Sequence, residues 1–377
     1  LRDCARGEAA ERRQANLCMD TANAADLVHD SAAATSLTIT TAIDGSDNLA
    51  GYSGRGGGSF LLLSQGAEGI ESDKTSGTGN GYTDYQGGAG GAVSFTNTGS
   101  LAVQASGLMG EIGSTGIPLA LNGVGAYSRG GDGVAFKQNN DDWAGAGGPG
   151  GAVSVVNNGS IKVQGVDDFV LPVNGIFALS QGGEGSNREA WATAPGGDGG
   201  AVTVTQAGSV SVAGYTSVAL QAASIGGNSD FDGGLDGQVD ASGAGDGGAV
   251  TVNLSAGSST EASNGSGGSG AYSIGVLAVS AGGNADNGWE GAGGDVTVSL
   301  SEGASVTTSN PGASLSSGVL AISAGSVGDL APDKVQNLNT AYPGNPGAAT
   351  IENAGTVSTA GSLVCCSSLG LPRRRLA

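Results

Sequence analysis

A short apolar run that ends in serine and then gives way to glycine recurs along this chain, and no other feature narrows the choice of fold as much. Its clearest copy is Asn174-Gly175-Ile176-Phe177-Ala178-Leu179-Ser180-Gln181-Gly182-Gly183. Others run Asn122–Gly133, Gly275–Gly283 and Gly318–Gly325, with weaker copies at Phe60–Gly69 and Leu220–Gly227. Six copies at spacings of tens of residues mean a repeat architecture.

Each unit holds three apolar segments and one long glycine-rich loop. The first segment alternates: Ala152-Val153-Ser154-Val155, Ala201-Val202-Thr203-Val204, Ala249-Val250-Thr251-Val252. Period-two alternation with β-branched residues predicts a strand with one buried face. A turn ending in glycine follows, clearest at Asn158-Gly159. A second strand follows it, as at Ser160–Val163 and Ser209–Val212, and the apolar-to-serine run is the third. The anchor valine falls at 93, 153, 202, 250 and 296, so loop length varies while the strands keep their pattern. A solenoid tolerates that.

Three strands per unit predict an all-β fold: a right-handed, three-sided parallel β-helix of about six to seven rungs, stacked at about 4.8 Å. Val124, Ile176, Leu220, Val276 and Val319 should form one inward ladder and Ala126, Ala178, Ala222, Ala278 and Ala321 another, with Ser128, Ser180, Ser224, Ser280 and Ser323 at the bend. The other parity of the third strand is apolar too. Phe177, Leu179, Leu277, Val279, Leu320 and Ile322 are either covered by the loops or form a stripe for a partner.

Residues 1–35 differ from the rest. They hold almost no glycine, and Glu8–His29 reads as helix by propensity, a cap or a loose terminus. The domain reading is thus a helical segment over 1–35, the β-helix over 36–363, and an irregular basic tail over 364–377. Cys4, Cys18, Cys365 and Cys366 lie only in the end segments, and the Cys4–Cys18 spacing suits a local disulfide but no metal pattern. The first residue is Leu rather than Met, which fits removal of a leader or larger precursor.

Of 377 residues 74 are glycine, 4% are aromatic and the net charge is −20. That balance argues against nucleic acid and anionic lipid as partners. No apolar run is long enough for a membrane helix. A Ser-His-Asp site would have to use His29, outside the repeats, which argues against it. A carbohydrate-cleaving β-helix is the alternative reading; it requires carboxylates to converge on one groove, and against it Asp141 and Asp142 fall in a different loop from Asp230 and Asp232. Asp230, Asp232 and Asp236 are calcium candidates, although no calcium-roll nonapeptide is present. Gly196-Gly197-Asp198-Gly199-Gly200 resembles a phosphate cradle without the lysine or the strand-to-helix context. A third reading, a solenoid binding ice or mineral, would use Ser94, Ser154, Thr203, Thr251 and Thr297 on a flat face. No catalytic residue, metal or cofactor is expected.

The unit Gly-Gly-Ala-Val-x-Val, then Gly-Ser-[Ile/Val]-x-Val, then Gly-[Ile/Val]-x-Ala-x-Ser-x-Gly-Gly resembles the glycine-rich repeats of Gram-negative autotransporter passenger regions. Ser224-Ile225-Gly226-Gly227 comes closest to the core of that family's repeat. The resemblance covers roughly 36–363. It implies type V secretion, a β-helical passenger at the cell surface or released from it, and a role in adhesion, aggregation or virulence, with surface proteins, carbohydrates or the chain itself as partner. The chain departs from the family pattern in two ways. No series of ten-residue alternating strands for a membrane barrel follows the repeats, and Cys365–Ala377 breaks the repeat. The resemblance therefore implies a passenger whose translocator is not in this sequence.

Overall fold

The computed structural model describes residues 17–21, 27–31, 36–41, 58–69, 86–105, 121–138, 141–165, 172–188, 192–229, 243–264, 272–285, 289–310, 315–326, 344–360 and 366–371. The first rung is β1 (Leu17–Thr21), β2 (Leu27–Ser31) and β3 (Ser36–Thr41); the second is β4 (Gly58–Gln65), β5 (Val93–Asn97) and β6 (Ser100–Ala105). The third is β7 (Leu121–Arg129), a hairpin of β8 (Phe136–Gln138) and β9 (Asp141–Trp143), then β10 (Val153–Asn157) and β11 (Ser160–Gln164). The fourth is β12 (Pro172–Gln181), a hairpin of β13 (Asn187–Arg188) and β14 (Ala192–Thr193), then β15 (Val202–Gln206) and β16 (Ser209–Ala213). The fifth is β17 (Thr216–Ile225), β18 (Val250–Leu254) and β19 (Ser259–Ser263), and the sixth β20 (Tyr272–Ala281), β21 (Val296–Leu300) and β22 (Ser305–Ser309). The seventh is β23 (Leu315–Ala324), β24 (Ala349–Asn353) and β25 (Thr356–Ala360); β26 (Cys366–Leu371) opens an eighth.

The strands form three parallel sheets. The first runs β1-β4-β7-β12-β17-β20-β23-β26, the second β2-β5-β10-β15-β18-β21-β24, and the third β3-β6-β11-β16-β19-β22-β25. Each sheet takes its strands in chain order, so the chain circles three sides and climbs one strand per circuit. This is the three-sided parallel β-helix that the repeat predicts.

The predicted ladders are in register. Val124, Ile176, Leu220, Val276 and Val319 pair in succession, as do the alanines from Ala126 to Ala321. All ten are buried. Val93, Val153, Val202, Val250 and Val296 stack on the second sheet, and Leu101, Ile161 and Val210 on the third. These side chains make one continuous core. Between β7 of the first sheet and β11 of the third, space is short: a Cβ on Gly123 would lie 2.6 Å from Ile161 Cγ2.

Polar residues also stack inside. Asn97 Nδ2 donates to Asn157 Oδ1 at 2.6 Å, and Asn157 Nδ2 to Gln206 Oε1 at 2.9 Å; all three side chains are fully buried. From the fifth rung the column continues as Leu254 and Leu300. The amides bond rung by rung as far as Gln206, whose buried Nε2 has no partner among the described residues where the column passes to Leu254; a leucine ladder has no bonding needs to meet.

Two expectations about the ends are corrected. Of Glu8–His29, the described residues Leu17–Thr21 and Leu27–Ser31 are strands paired with β4 and β5, not helix, so the solenoid begins before residue 36. Helix propensity is a weak prior, and an open sheet edge offering ladder bonds outweighs it. The end segment is not wholly irregular either: β26 adds to the first sheet in register with β23.

Ile176→Ala should therefore cost about 2–5 kcal/mol as a core truncation. Thr251→Ser, on the outward side of β18, should change stability by about 0.5 kcal/mol or less. Chemical denaturation of both variants tests the two values.

Candidate functional site

The long loops leave the first sheet just after its serines and return to the second sheet. Those serines are wholly or almost wholly buried, and each one serves two loops. Ser180 Oγ donates to the carbonyl of Gly151 at 2.8 Å and accepts from the N–H of Gly200 at 2.8 Å. Ser224 does the same with Gly200 and Gly248, and Ser280 with Gly248 and Gly294. Ser128 and Ser323 repeat the pattern. The serine at the bend is thus the stitch between strand and loop. None of these serines has the base partner that a nucleophile requires.

The loop limbs next to the serines form a wall of backbone. Along one line Gly131 N–H donates to Gly88 O, Gly148 to Gly131, Gly183 to Gly148, Gly197 to Gly183, Gly227 to Gly197 and Gly245 to Gly227, all at 2.8–2.9 Å. Outgoing and returning limbs alternate along this line. Bonds in a second direction recur three residues apart: Gly130 and Gly133 donate to Gln181 O and Glu184 O, and Gly147 and Gly150 to Pro195 O and Asp198 O. Period three with no bonds inside a limb is the geometry of the polyproline II helix. Two directions of each limb meet neighbouring backbone. A Cβ on Gly131, Gly183 or Gly197 would overlap a carbonyl of the next limb. The third direction is open, and it holds Glu68, Asp132, Glu184, Pro149 and Asp198. The motif Gly-Gly-x-Gly is therefore a packing rule: glycine on the two bonded sides, any residue on the third.

This accounts for the apparent ligand motifs. In Gly196–Gly200 the N–H groups of Gly196, Gly197, Gly199 and Gly200 are bonded to Gly243 O, Gly183 O, Asp246 O and Ser180 Oγ. They are not free to cradle a phosphate. The outward carboxylates brace successive rungs: Asp132 Oδ1 accepts from Glu184 N–H, Asp198 from Asp246 N–H and Asp246 from Ala292 N–H, at 2.7–2.8 Å. Arg129 bridges Asp132 at 2.9 Å. Among the described residues no group of three His, Cys, Asp or Glu could hold a metal ion. The calcium candidates Asp230, Asp232 and Asp236 lie outside the described residues. Asp141 and Asp142 stand on β9, and His29 on β2, paired with Phe95.

The apolar stripe divides. Phe177 and Leu179 are 6% and 7% exposed, packed with Leu63, Tyr127 and Ala223 in a second small core. Tyr127 and Phe177 meet edge to face with centroids 5.2 Å apart. Those two residues are closed to a partner as the structure stands. Leu277, Val279, Leu320 and Ile322 are half-buried. At the start of the same strand as Leu277, burial raises the pKa of the Tyr272 phenol. Among the described residues no helix is long and apolar enough to cross a membrane. The chain matches no protein-family model, no curated protein and no solved structure.

The sequence reading placed the serines at a bend and the glycines in loops. It missed their mutual bonds, although the constant Ser-x-Gly spacing signalled them. Ser224→Ala would leave Gly200 O and Gly248 N–H without their partner, at about 1–3 kcal/mol for each buried group left unsatisfied. Gly197→Ala should destabilise more than Ser224→Ala, because backbone rather than a side chain would have to move. Thermal melts of the two variants give the order.

Proposed function

We propose that this chain is a non-enzymatic display rod: a β-helical passenger region of the autotransporter type, at the bacterial surface or released from it, acting in adhesion or aggregation. One observation carries the reading. The rungs are constant in register while the loops change in length and sequence on a single edge. The polar groups of the repeat are committed to holding that edge. A rigid column with variable loops along one side is suited to presenting contacts rather than to assembling a reaction centre. The resemblance of the Gly-[Ile/Val]-x-Ala-x-Ser-x-Gly-Gly unit to autotransporter passengers adds the cellular setting, and the acidic surface is consistent with it.

The test is made on intact cells that produce the protein. Antibody against the loops should label them without permeabilisation, and added protease should remove that label while an internal marker survives. Labelling that requires permeabilisation would overturn the reading.

A further inference from the structure

We propose that the boundary between the fourth and fifth rungs is a joint: the fifth to seventh rungs open and reclose as one unit while the second to fourth stay folded. The joint is a property of the core and does not depend on where the protein is displayed.

Four interior columns change chemistry at this one level. On the second sheet Asn97, Asn157 and Gln206 give way to Leu254 and Leu300. On the first sheet Asn122 and Asn174, joined by a 2.8 Å bond from Asn174 Nδ2 to Asn122 Oδ1, give way to Val218 and Ile274. The column beside it runs the other way. Leu121 and Val173 give way to Ser217, Ser273 and Ser316, and Ser217 Oγ donates to Ser273 Oγ at 3.0 Å. On the third sheet Ile161 and Val210 are followed by Thr260. Every one of these residues is buried.

The mismatch leaves polar groups stranded at the junction. Gln206 Nε2 and Asn174 Oδ1 on one side, and Thr260 Oγ1 and Ser258 Oγ on the other, have no hydrogen-bond partner among the described residues. Ser258 stands in the turn after β18, one level above Gly208, since Ser259 N–H donates to Gly208 O at 3.1 Å. A bonded side-chain ladder strengthens the hold of one rung on the next, and here both amide ladders stop against apolar side chains. The stability of a solenoid is a sum of rung and neighbour-interface terms, so its least favourable interface divides it into cooperative units. The backbone ladders and the glycine wall cross this level unchanged, with Gly227 N–H bonded to Gly197 O at 2.8 Å. The rod is therefore continuous across the joint, and the mismatch lies in its side chains.

The two sides are unequal. Of the largest fully buried apolar side chains, Phe95, Leu62, Leu121, Ile161 and Ile176 belong to the second to fourth rungs, and Leu220 and Leu254 to the fifth. The fifth to seventh rungs hold Thr260, Thr308 and the serine column inside, and Asn310 Nδ2 and Ser317 Oγ there also have no partner among the described residues. The C-terminal side is therefore the one that opens. Opening frees the loops that this block carries and leaves those of the other block in place.

Native-state hydrogen exchange on the full chain, in rising sub-denaturing guanidinium and read peptide by peptide, tests the joint. Amides of the fifth to seventh rungs should exchange together at lower denaturant than those of the second to fourth, with the break between β16 and β17. Val155, in the third rung, has Phe95 and Val204 as its strand neighbours, both on the N-terminal side. Val155→Ala should lower protection in the second to fourth rungs by about 10- to 100-fold, the effect of two lost methyl groups and the cavity they leave. It should leave the fifth to seventh rungs at the parent's protection. Thr260→Val, which removes an unpartnered hydroxyl, should raise protection of the fifth to seventh rungs by about 5- to 100-fold. A single transition for both blocks, a break at another level, or an equal fall in both blocks on Val155→Ala would overturn the joint. So would the second to fourth rungs opening first, or no gain from Thr260→Val. If Val155→Ala does not fold, the parent's exchange pattern decides.

Discussion

The structure depends on backbone meeting backbone along the loop edge. Six long loops leave one sheet and re-enter another, and such loops would ordinarily carry a large conformational entropy cost and a set of unbonded amides. Here outgoing and returning limbs interleave and bond in two directions, so the loop bases are as regular as the sheets. That regularity is available only where side chains are missing. At Gly131, Gly183 and Gly197 the obstacle to any larger residue is the neighbouring carbonyl rather than a φ angle that only glycine adopts. Left-handed backbone is found elsewhere, at Gly257 and Gly303, with φ of 78° and 83°, in the turns between second and third sheets. Glycine therefore has two separate reasons to be in this chain.

The serine ladder joins the two regular systems. A buried hydroxyl that donates to one glycine and accepts from another leaves none of its three groups unsatisfied, and the bond runs alternately to a loop below and to the residue's own loop. Strand register thereby sets loop register. A slip of one residue in the first sheet would put every serine on the wrong face and release both glycines of each pair. The apolar ladders alone would resist such a slip less strongly, since Phe177, Leu179, Val279 and Ile322 make the opposite face apolar too.

The sequence revealed most about what repeats by side chain. Alternation in Ala152–Val155 and its copies predicted the second sheet, and the column Val124–Ile176–Leu220–Val276–Val319 emerged with its register. Backbone bonds between distant loops leave a weaker trace. The run Gly196–Gly200 read as a possible cradle because free and bonded N–H groups look alike in sequence. The ends failed for a different reason. Leu17–Thr21 and Leu27–Ser31 lack the glycine and the alternation of later rungs, so local propensity was the only guide to them, and the neighbouring strands decided otherwise. The amide column Asn97–Asn157–Gln206 continues the inward parity of the valines, and a parity traced by apolar residues does not reveal it.

Function on this frame is divided by position. Strand residues face either the core or neighbours one rung away at fixed spacing, which favours small, neutral and similar side chains: Ser94, Ser154, Thr203, Thr251 and Thr297 form one such column. The loops differ from rung to rung in length, charge and aromatic content while the strands keep one register. The concentration of tryptophan and of net negative charge in the loops follows that division. On the proposed display reading, a change of partner would be made beyond the wall, while the wall itself and the serines that tie it to the first sheet hold the register.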